Sequence, residues 1–234
     1  MTASELAQAW ARVERVVEAS AKMPPGALDA FWTALAAGKV AHEQSDRGVR
    51  GVGIIADSLP AVWLAVTDDH PVDEVAGLTQ VAWRGAWASG KYLYQRLDLP
   101  WPFQDRHWVA ESHNNAALAS AGVWERWWET EPEQLPNARS RTDAAAFDAA
   151  LAVPQNRGNW LLLSLSPNAT LAIYQARVDL GGQLPASAAD QYAALKLPEL
   201  YASIERDAHS MHRRYVRDCT QPGADGATLP CFGD

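Results

Sequence analysis

The segment formed by residues 92–113 limits the possible fold more than any other part of the sequence. It reads YLYQRLDLPWPFQDRHWVAESH, with two stretches rich in aromatic and β-branched residues on either side of a Pro-Trp-Pro sequence. Such residues favour strands, whereas a proline cannot donate a hydrogen bond to a neighbouring strand. The segment therefore predicts an antiparallel hairpin of residues 92–97 and 106–112, joined by an aromatic loop.

A second hairpin is predicted at residues 159–179. Two apolar stretches, 160–165 and 170–178, flank the sequence Ser-Pro-Asn-Ala, whose residue types favour a tight turn. We expect the two hairpins to form the wall of a ligand cavity that the last helix closes.

The remaining elements follow from hydrophobic periodicity. Helices are predicted at residues 3–22, with Ser4 as the N-cap, from Pro25 to Gly38, at 61–67 and at 187–217. Strands are predicted at residues 39–43, 49–56, 79–83 and 123–129. The order indicates an α+β fold, a curved antiparallel sheet with helices on one face. Pro198 is expected to kink the long last helix, and residues 139–155 are expected to cross the cavity mouth.

Composition excludes several classes of protein. The chain has 234 residues, 48% of them hydrophobic, which suits one large domain. Its net charge of −8 argues against a general nucleic-acid-binding protein. No apolar stretch approaches the roughly 20 residues that span a bilayer, so we expect a soluble protein. We place it in the cytoplasm, or in the periplasm if a signal peptide has been removed.

Tryptophan is abundant, with 11 residues. Two interpretations remain open, because these rings either build a thick core or line a cavity for a bulky apolar ligand.

Catalytic and metal-binding motifs are not recognisable. We predict no catalytic residue, no cofactor and no metal site, since the sequence lacks a nucleophile elbow, a phosphate-binding glycine loop and a His-Glu-x-x-His motif. His209 and His212 share a predicted helix face near Asp207, and we interpret them as structural. Cys219 and Cys231 form either a disulfide or two free thiols.

Strand alternation groups candidate ligand contacts on faces. In the second hairpin, small residues surround Tyr174 on one face and leave room for a ligand, although a core tyrosine bonded to backbone is the alternative. In the first hairpin, Tyr92, Tyr94 and Arg96 share a face. A buried arginine needs a partner, for which Glu111 is the candidate; an exposed arginine is the alternative.

Three segments resemble a known family. Residues 49–68 (VRGVGIIADSLPAVWLAVTD), residues 100–109 (PWPFQDRHWV) and residues 158–185 are similar to segments of bacterial START domains, the steroidogenic-acute-regulatory-related lipid-transfer domains. These belong to the helix-grip superfamily, which includes polyketide cyclases. One departure is His107, which stands where the family usually has Asp after the arginine at position 106.

The resemblance implies a helix-grip fold, a curved antiparallel sheet wrapped around a long C-terminal helix that encloses a hydrophobic cavity. It assigns residues 38–218 to a START-like domain. Residues 1–37 then form an N-terminal helical extension, and residues 219–234 form a Gly/Pro-rich tail that we expect to be loosely held.

The resemblance also implies binding of one sterol, acyl lipid or similar molecule, for transport or sensing and without chemistry. We predict that the hairpins supply the ligand-binding residues. These are Tyr92, Tyr94, Arg96, Trp108, Glu111, Trp160, Ala172, Tyr174 and Ala176.

Further hypotheses concern partners and activity. The first alternative is an enzyme of the polyketide cyclase or aromatase kind that uses the same cavity, and the second is a ligand-dependent interaction module whose N-terminal helices contact a partner. Transient membrane contact is also expected, through arginines near the end of the last helix.

Overall fold

The computed structural model describes residues 1–45, 48–67, 77–83, 91–182, 186–217 and 220–232, with side chains for all of these except 186–193. The statements that follow refer to this part of the chain. Its centre is a curved sheet of nine strands.

The strands run along the chain as nine elements. They are β1 Ala41–Ser45, β2 Gly48–Ile55, β3 Leu78–Trp83, β4 Lys91–Leu97, β5 Arg106–Asn114, β6 Val123–Thr130, β7 Leu151–Ala152, β8 Gln155–Ser166 and β9 Ala169–Asp179. Their order in the sheet is β1-β2-β9-β8-β6-β5-β4-β3, with every pair antiparallel, and β7 adds a short parallel pair beside the start of β5. Both predicted hairpins are confirmed, as β4–β5 and β8–β9.

Eight α-helices lie in the described part of the chain. They are α1 Ala3–Ala11, α2 Glu14–Ser20, α3 Trp32–Ala36, α4 Leu59–Thr67, α5 Ala116–Ala119, α6 Leu135–Ala138, α7 Ala144–Ala149 and α8 Ala186–Arg214. Short 3₁₀ turns at Pro132–Gln134 and Arg139–Arg141 accompany α6 and α7. The long final helix is confirmed, and Pro198 lies inside it. The kink expected at Pro198 stays a prediction.

Helices cover both faces of the sheet, so the prediction of helices on one face was wrong. We call the face that carries Trp128, Trp160 and Tyr174 the inner face, and the opposite face the outer face. Helices α4 and α8 pack on the inner face. Helices α1 to α3 pack on the outer face, because β8 and β9 are apolar on that side too, through residues such as Leu161 and Ile173.

The N-terminal helices depart from the predicted boundaries. The apolar stripe from Leu6 to Val17 is buried as expected, but the single predicted helix is broken between α1 and α2. Thr2, rather than Ser4, is the N-cap, and it forms a capping box with Glu5. The helix predicted from Pro25 is only α3, since Gly26 has φ +69, outside the right-handed helical region.

Helix α8 approaches the sheet closely where β2 carries glycines. A Cβ on Gly53 would lie 2.6 Å from the Tyr201 ring, so any larger residue would push the helix away. The Tyr201 hydroxyl lies 2.9 Å from both the Gly51 and the Ala172 carbonyl oxygens, and it shares its one hydrogen between them. This contact ties the middle of α8 to β2 and β9.

The C-terminal tail is packed, so the prediction of a loosely held segment was wrong. The Trp63 indole donates a hydrogen bond of 3.1 Å to the Pro222 carbonyl oxygen. Ala224 and Leu229 lie in the core with α4 and α8. Apolar residues placed within the Gly- and Pro-rich sequence, rather than its overall composition, therefore decide how the tail behaves.

Candidate ligand site on the inner face

A row of aromatic rings crosses the inner face. It runs from Trp128 on β6 through Tyr174 on β9 and Trp160 on β8 to Tyr201 on α8, with ring centroids 5.8, 4.9 and 5.4 Å apart. Trp160 and Tyr174 are opposite each other in the β8–β9 register. Trp128 is opposite Gly158, where a Cβ would lie 2.3 Å from its ring. The glycine therefore lets Trp128 lie flat across the sheet toward Tyr174.

Tyr174 combines two properties that rarely occur together. Its side chain keeps accessible surface, since it is only partly buried. Nevertheless, burial raises the pKa of its hydroxyl to about 12. The hydroxyl stays protonated at neutral pH and is able to donate a hydrogen bond.

A short polar row lies on the same face of β3 to β5. The Trp108 indole donates a hydrogen bond of 3.0 Å to Gln95 Oε1, and Gln95 Nε2 donates one of 2.6 Å to Gln80 Oε1. Trp108 is buried and packs with Ala110 in a smaller apolar cluster. The inner face thus pairs apolar surface with a few oriented polar groups, which is typical of ligand sites.

Arg126 is an inner-face residue that the sequence analysis missed. It lies on β6 between Trp124 and Trp128, and it is 6% exposed. Its guanidinium donates hydrogen bonds to Asn114 Oδ1 at 2.8 Å and to Ser112 Oγ at 2.5 Å. Strand alternation in the sequence VWERWWE would have placed it between the two tryptophans. Because arginine stays charged in proteins, it brings a positive charge to this face.

Five of the predicted site residues lie on the inner face. They are Trp108, Trp160, Ala172, Tyr174 and Ala176. Ala172 and Ala176 are 0% and 2% exposed and pack against α4 and α8. These two alanines therefore belong to the core, whereas Tyr174 and Trp128 keep accessible surface.

The other four predicted site residues lie on the outer face. The register pairs Gln95 with Trp108 and Tyr94 with Val109, so Tyr92, Tyr94 and Arg96 point away from the aromatic row. Glu111 is opposite Tyr92 and shares its face. The two hairpins thus contribute to different faces of one sheet.

The predicted ion pair between Arg96 and Glu111 is not formed. Arg96 Nε lies 3.0 Å from Asp98 Oδ1, while Glu111 Oε2 lies 3.4 Å from His113 Nε2. In the β4–β5 register Arg96 is opposite His107, four residues along the strand from Glu111. Four residues of strand span about 13 Å, which is too far for a salt bridge.

The excursion predicted at residues 139–155 divides between the two faces, because Ala138 and Phe147 pack with Tyr94 on the outer face whereas Val153 packs with Trp108 and Ala110 on the inner face. That it crosses a cavity mouth stays a prediction. The Phe147 ring lies 4.5 Å from the His107 ring and 5.9 Å from the Tyr94 ring. Burial lowers the pKa of His107 and raises that of Tyr94. Both groups are therefore neutral near pH 7. The family departure at position 107 thus lies away from the aromatic row.

His209 and His212 approach Asp57, a residue that the sequence analysis had not connected with them. The His212 Nε2 atom lies 2.7 Å from Asp57 Oδ1, and the His209 Nε2 atom lies 3.8 Å from Asp57 Oδ2. These contacts join the end of α8 to the turn before α4. In the described ranges, no group of three potential ligands is arranged to hold a metal ion. Nor does any helix described here have the length and apolar content needed to cross a membrane.

Solved structures resemble the fold of this chain closely enough to identify it. A STAR-related lipid transfer protein from Xanthomonas axonopodis aligns with a TM-score of 0.54 and 18% identity, over 73% of this chain and 93% of that one. The chain has the START-domain fold. The predicted helix-grip architecture is thereby confirmed.

Two human START structures agree. The StAR-related lipid transfer protein 5 aligns with a TM-score of 0.54 and 14% identity, over 91% of this chain and all 100% of that chain. STARD10 aligns with a TM-score of 0.52 and 13% identity, over 76% of each chain. No protein-family model and no curated protein matches the sequence.

Proposed function

We propose that the protein binds one lipid or other large hydrophobic molecule against the inner face, for transport or sensing. The observation that carries this proposal is the row of aromatic rings on the inner face, which runs from Trp128 through Tyr174 and Trp160 to Tyr201. The shared START fold supports the same class of ligand, since the matched structures are named as lipid transfer proteins.

Apolar contact supplies most of the binding free energy. Burial of apolar surface contributes about 25 cal/mol per Å², so a sterol-sized or acyl ligand gains many kcal/mol from concealment. The Tyr174 hydroxyl and the Arg126 guanidinium then orient a polar end of the ligand, a hydroxyl or a carboxylate. A sterol or an acyl lipid meets both requirements.

Native mass spectrometry tests this proposal directly. The purified protein is weighed, stripped of bound lipid, and then offered cholesterol, palmitic acid and phosphatidylcholine in turn. A retained or rebound lipid at one molecule per chain is expected. A Trp128→Ala variant should lose that complex, whereas Leu195→Ala, which alters a side chain that is 77% exposed, should keep it. Absence of any complex with all three probes contradicts the proposal.

We infer binding without turnover. Three ionisable side chains that lie in or beside the aromatic row are Tyr174, Tyr201 and Arg126. Burial raises the pKa of both tyrosines, and arginine does not deprotonate, so none of them serves as a base near pH 7. Recovery of every added ligand unchanged is expected. A cyclised or dehydrated product would favour the cyclase alternative instead.

Membrane contact is proposed at the aromatic loop between β4 and β5. Trp101 is 92% exposed and Phe103 is 48% exposed, and exposed aromatic residues favour the membrane interface. Arg106, which follows this loop, donates a hydrogen bond to the carbonyl oxygen of Leu180, which precedes α8 in the chain. The arginines lie near the C-terminal end of this 29-residue helix, which is about 44 Å long.

Vesicle co-sedimentation separates these two candidates for membrane contact. With phosphatidylcholine vesicles containing phosphatidylserine, Trp101→Ala should reduce the bound fraction several-fold, while Arg213→Ala should change it little. The reverse result would return the membrane contact to the arginines.

We propose a periplasmic location on the basis of the tail. Cys231 is disulfide-bonded, and disulfides persist in oxidising compartments. This supports the periplasm over the cytoplasm, the two locations that the sequence allowed. Alkylation of the protein in its own cells before lysis tests this, because a free Cys231 thiol would be labelled.

A further inference from the structure

A chain of hydrogen bonds with a fixed direction crosses the inner face from β5 to the edge strand β3. We call it the glutamine relay. It consists of Trp108, Gln95 and Gln80, which are opposite one another in the β5–β4 and β4–β3 registers. The Trp108 indole donates to Gln95 Oε1 at 3.0 Å, and Gln95 Nε2 donates to Gln80 Oε1 at 2.6 Å. The relay therefore begins at a buried ring and ends at an exposed amide.

The chemistry of the indole decides the direction of the relay. An indole N–H donates a hydrogen bond and cannot accept one, so the atom of Gln95 that faces Trp108 is its oxygen. The other end of that amide, Nε2, can only donate, and it therefore meets the oxygen of Gln80. Gln80 keeps its Nε2 at the free end, and among the described residues nothing accepts a hydrogen bond from this group. The relay thus ends in an oriented donor.

Apolar surface joins the relay to the aromatic row. Trp128 packs against the cluster that contains Trp108. The residue opposite Trp128 on β5 is Ser112, and four residues of strand between Ser112 and Trp108 span about 13 Å. A ligand on the aromatic row therefore reaches the relay when its apolar body extends along β5 by about that length.

The relay also has apolar neighbours on both sides. The cross-strand pairs Ala82–Leu93 and Leu78–Leu97 lie on the same face, one on each side of the relay, and all four side chains are only partly buried. The strand residues that pack in one cluster with α4 and α8 belong instead to β2, β6, β8 and β9. A donor between two partly exposed apolar pairs suits a ligand with an apolar body and one acceptor atom.

We propose that Gln80 Nε2 donates a hydrogen bond to a carbonyl oxygen of the bound lipid, that of an ester or a ketone, and that Trp108 and Gln95 are positioning residues for this donor. The inference rests on the proposed lipid-binding function and narrows the class of ligand. An ester or ketone oxygen can only accept, so its binding depends on the direction of the relay. Because the relay orients the Gln80 amide before the ligand arrives, less side-chain freedom is lost on binding.

Two substitutions reverse the end of the relay. Gln80→Glu still accepts from Gln95 but presents an oxygen at its free end. Gln95→Glu still accepts from Trp108 but cannot donate to Gln80, so the Gln80 amide turns round, donates to the new carboxylate and presents its own oxygen. The matched control is Gln44→Glu, which adds the same charge at an exposed position on β1, the opposite edge strand. Circular dichroism checks that each variant folds.

Competition between three lipids of similar chain length measures the preference. The protein is incubated with an equimolar mixture of hexadecane, hexadecanol and methyl palmitate and re-isolated, and the bound molecules are counted by gas chromatography. Methyl palmitate only accepts hydrogen bonds, hexadecanol also donates, and hexadecane does neither. In both glutamate variants of the relay, the ratio of methyl palmitate to hexadecane should fall about two- to tenfold, the value of one hydrogen bond. The ratio of hexadecanol to hexadecane should change little, and Gln44→Glu should keep both ratios.

The outcomes separate this inference from the proposed function. If the wild-type protein binds the lipids in ratios that neither relay variant changes, lipid binding stands and the inference is overturned. Loss of the preference for methyl palmitate in Tyr174→Phe alone would also overturn it, because the carbonyl group would then meet Tyr174. Recovery of no lipid from the wild-type protein contradicts the proposed function and this inference together. If one relay variant fails to fold, the other decides.

Discussion

The polar groups on the inner and outer faces of the sheet differ in burial and in hydrogen bonding. On the outer face, the fully buried Glu125 accepts hydrogen bonds from the Lys22 amide at 2.9 Å and from Asn115 and Asn159 at 2.7 Å each. On the inner face, Trp128 and Tyr174 keep accessible surface.

This difference distinguishes polar groups that stabilise the fold from polar groups that we propose for ligand binding. A buried polar group that is fully hydrogen-bonded holds elements together, and here it fixes the chain that follows α2 on the sheet. We propose instead that the hydroxyl of Tyr174, which is only partly buried, is available to a ligand. Our hypothesis is that the outer face contributes mainly to stability and the inner face to ligand binding, and each prediction below tests that hypothesis.

The largest expected effect is that of Glu125→Ala. The substitution leaves three donors without their acceptor, at about 1–3 kcal/mol each, so the free energy of unfolding should fall by several kcal/mol. Urea unfolding measures it. The matched control is Glu129→Ala on the same strand and face, where the side chain is exposed. Equal losses for the two variants would contradict the role of the buried network.

The next effect concerns the N-terminal helices. Leu6 is 0% exposed in the outer core, so Leu6→Ala should lower the free energy of unfolding by about 2–5 kcal/mol. This result would make residues 1–37 part of the stable fold. An unfolding transition that is unaltered by Leu6→Ala would instead favour an appended segment that is free for a partner.

Tyr201→Phe should have a moderate effect on stability alone. It removes the hydroxyl between the Gly51 and Ala172 carbonyl oxygens and should cost about 1–2 kcal/mol. Ligand binding by the folded variant should stay unchanged, because this hydroxyl is already committed to the backbone. A loss of binding without a loss of stability would move Tyr201 to the ligand site.

Tyr174→Phe should show the opposite behaviour. The free energy of unfolding should change little, whereas the preference for a hydroxylated sterol over its deoxy analogue should fall by about 0.5–1.5 kcal/mol, one hydrogen bond. Calorimetric titration with the two sterols measures this preference. If the variant loses stability and keeps the preference, Tyr174 is a core residue.

The smallest expected effect is a pH dependence of the free energy of unfolding, caused by His107 on the outer face. Because burial lowers the pKa of His107 in the folded state, the unfolded state binds the proton more tightly. The stabilising contribution is therefore complete above the unfolded pKa, about 6.5, and is lost as the pH falls through the folded pKa. The free energy of unfolding, measured with denaturant, should be lower at pH 5 than at pH 7.5. This difference should be smaller in His107→Gln. Identical pH profiles would exclude His107 as its source.

Much of the local structure could be predicted from the sequence. Proline and turn residues between β-favouring stretches located both hairpins, and the 3.6-residue apolar period located α4 and α8. The period of two placed Ala172, Tyr174 and Ala176 on one face of β9 correctly. These patterns depend on residues close together in the chain, so tertiary packing did not change the elements that they predict.

The tertiary structure alone decided which faces meet. The period of two divides each strand into two faces, but only the register between strands says which of these faces coincide. The register pairs Trp108 with Gln95 rather than with Arg96, so the Arg96 side chain lies on the other face of the sheet from the aromatic row. Likewise β8 and β9 are apolar on both sides, so the sequence could not say which side receives α1 to α3. Long-range packing made that choice, and with it placed Tyr174 and Glu125 on opposite faces of the sheet.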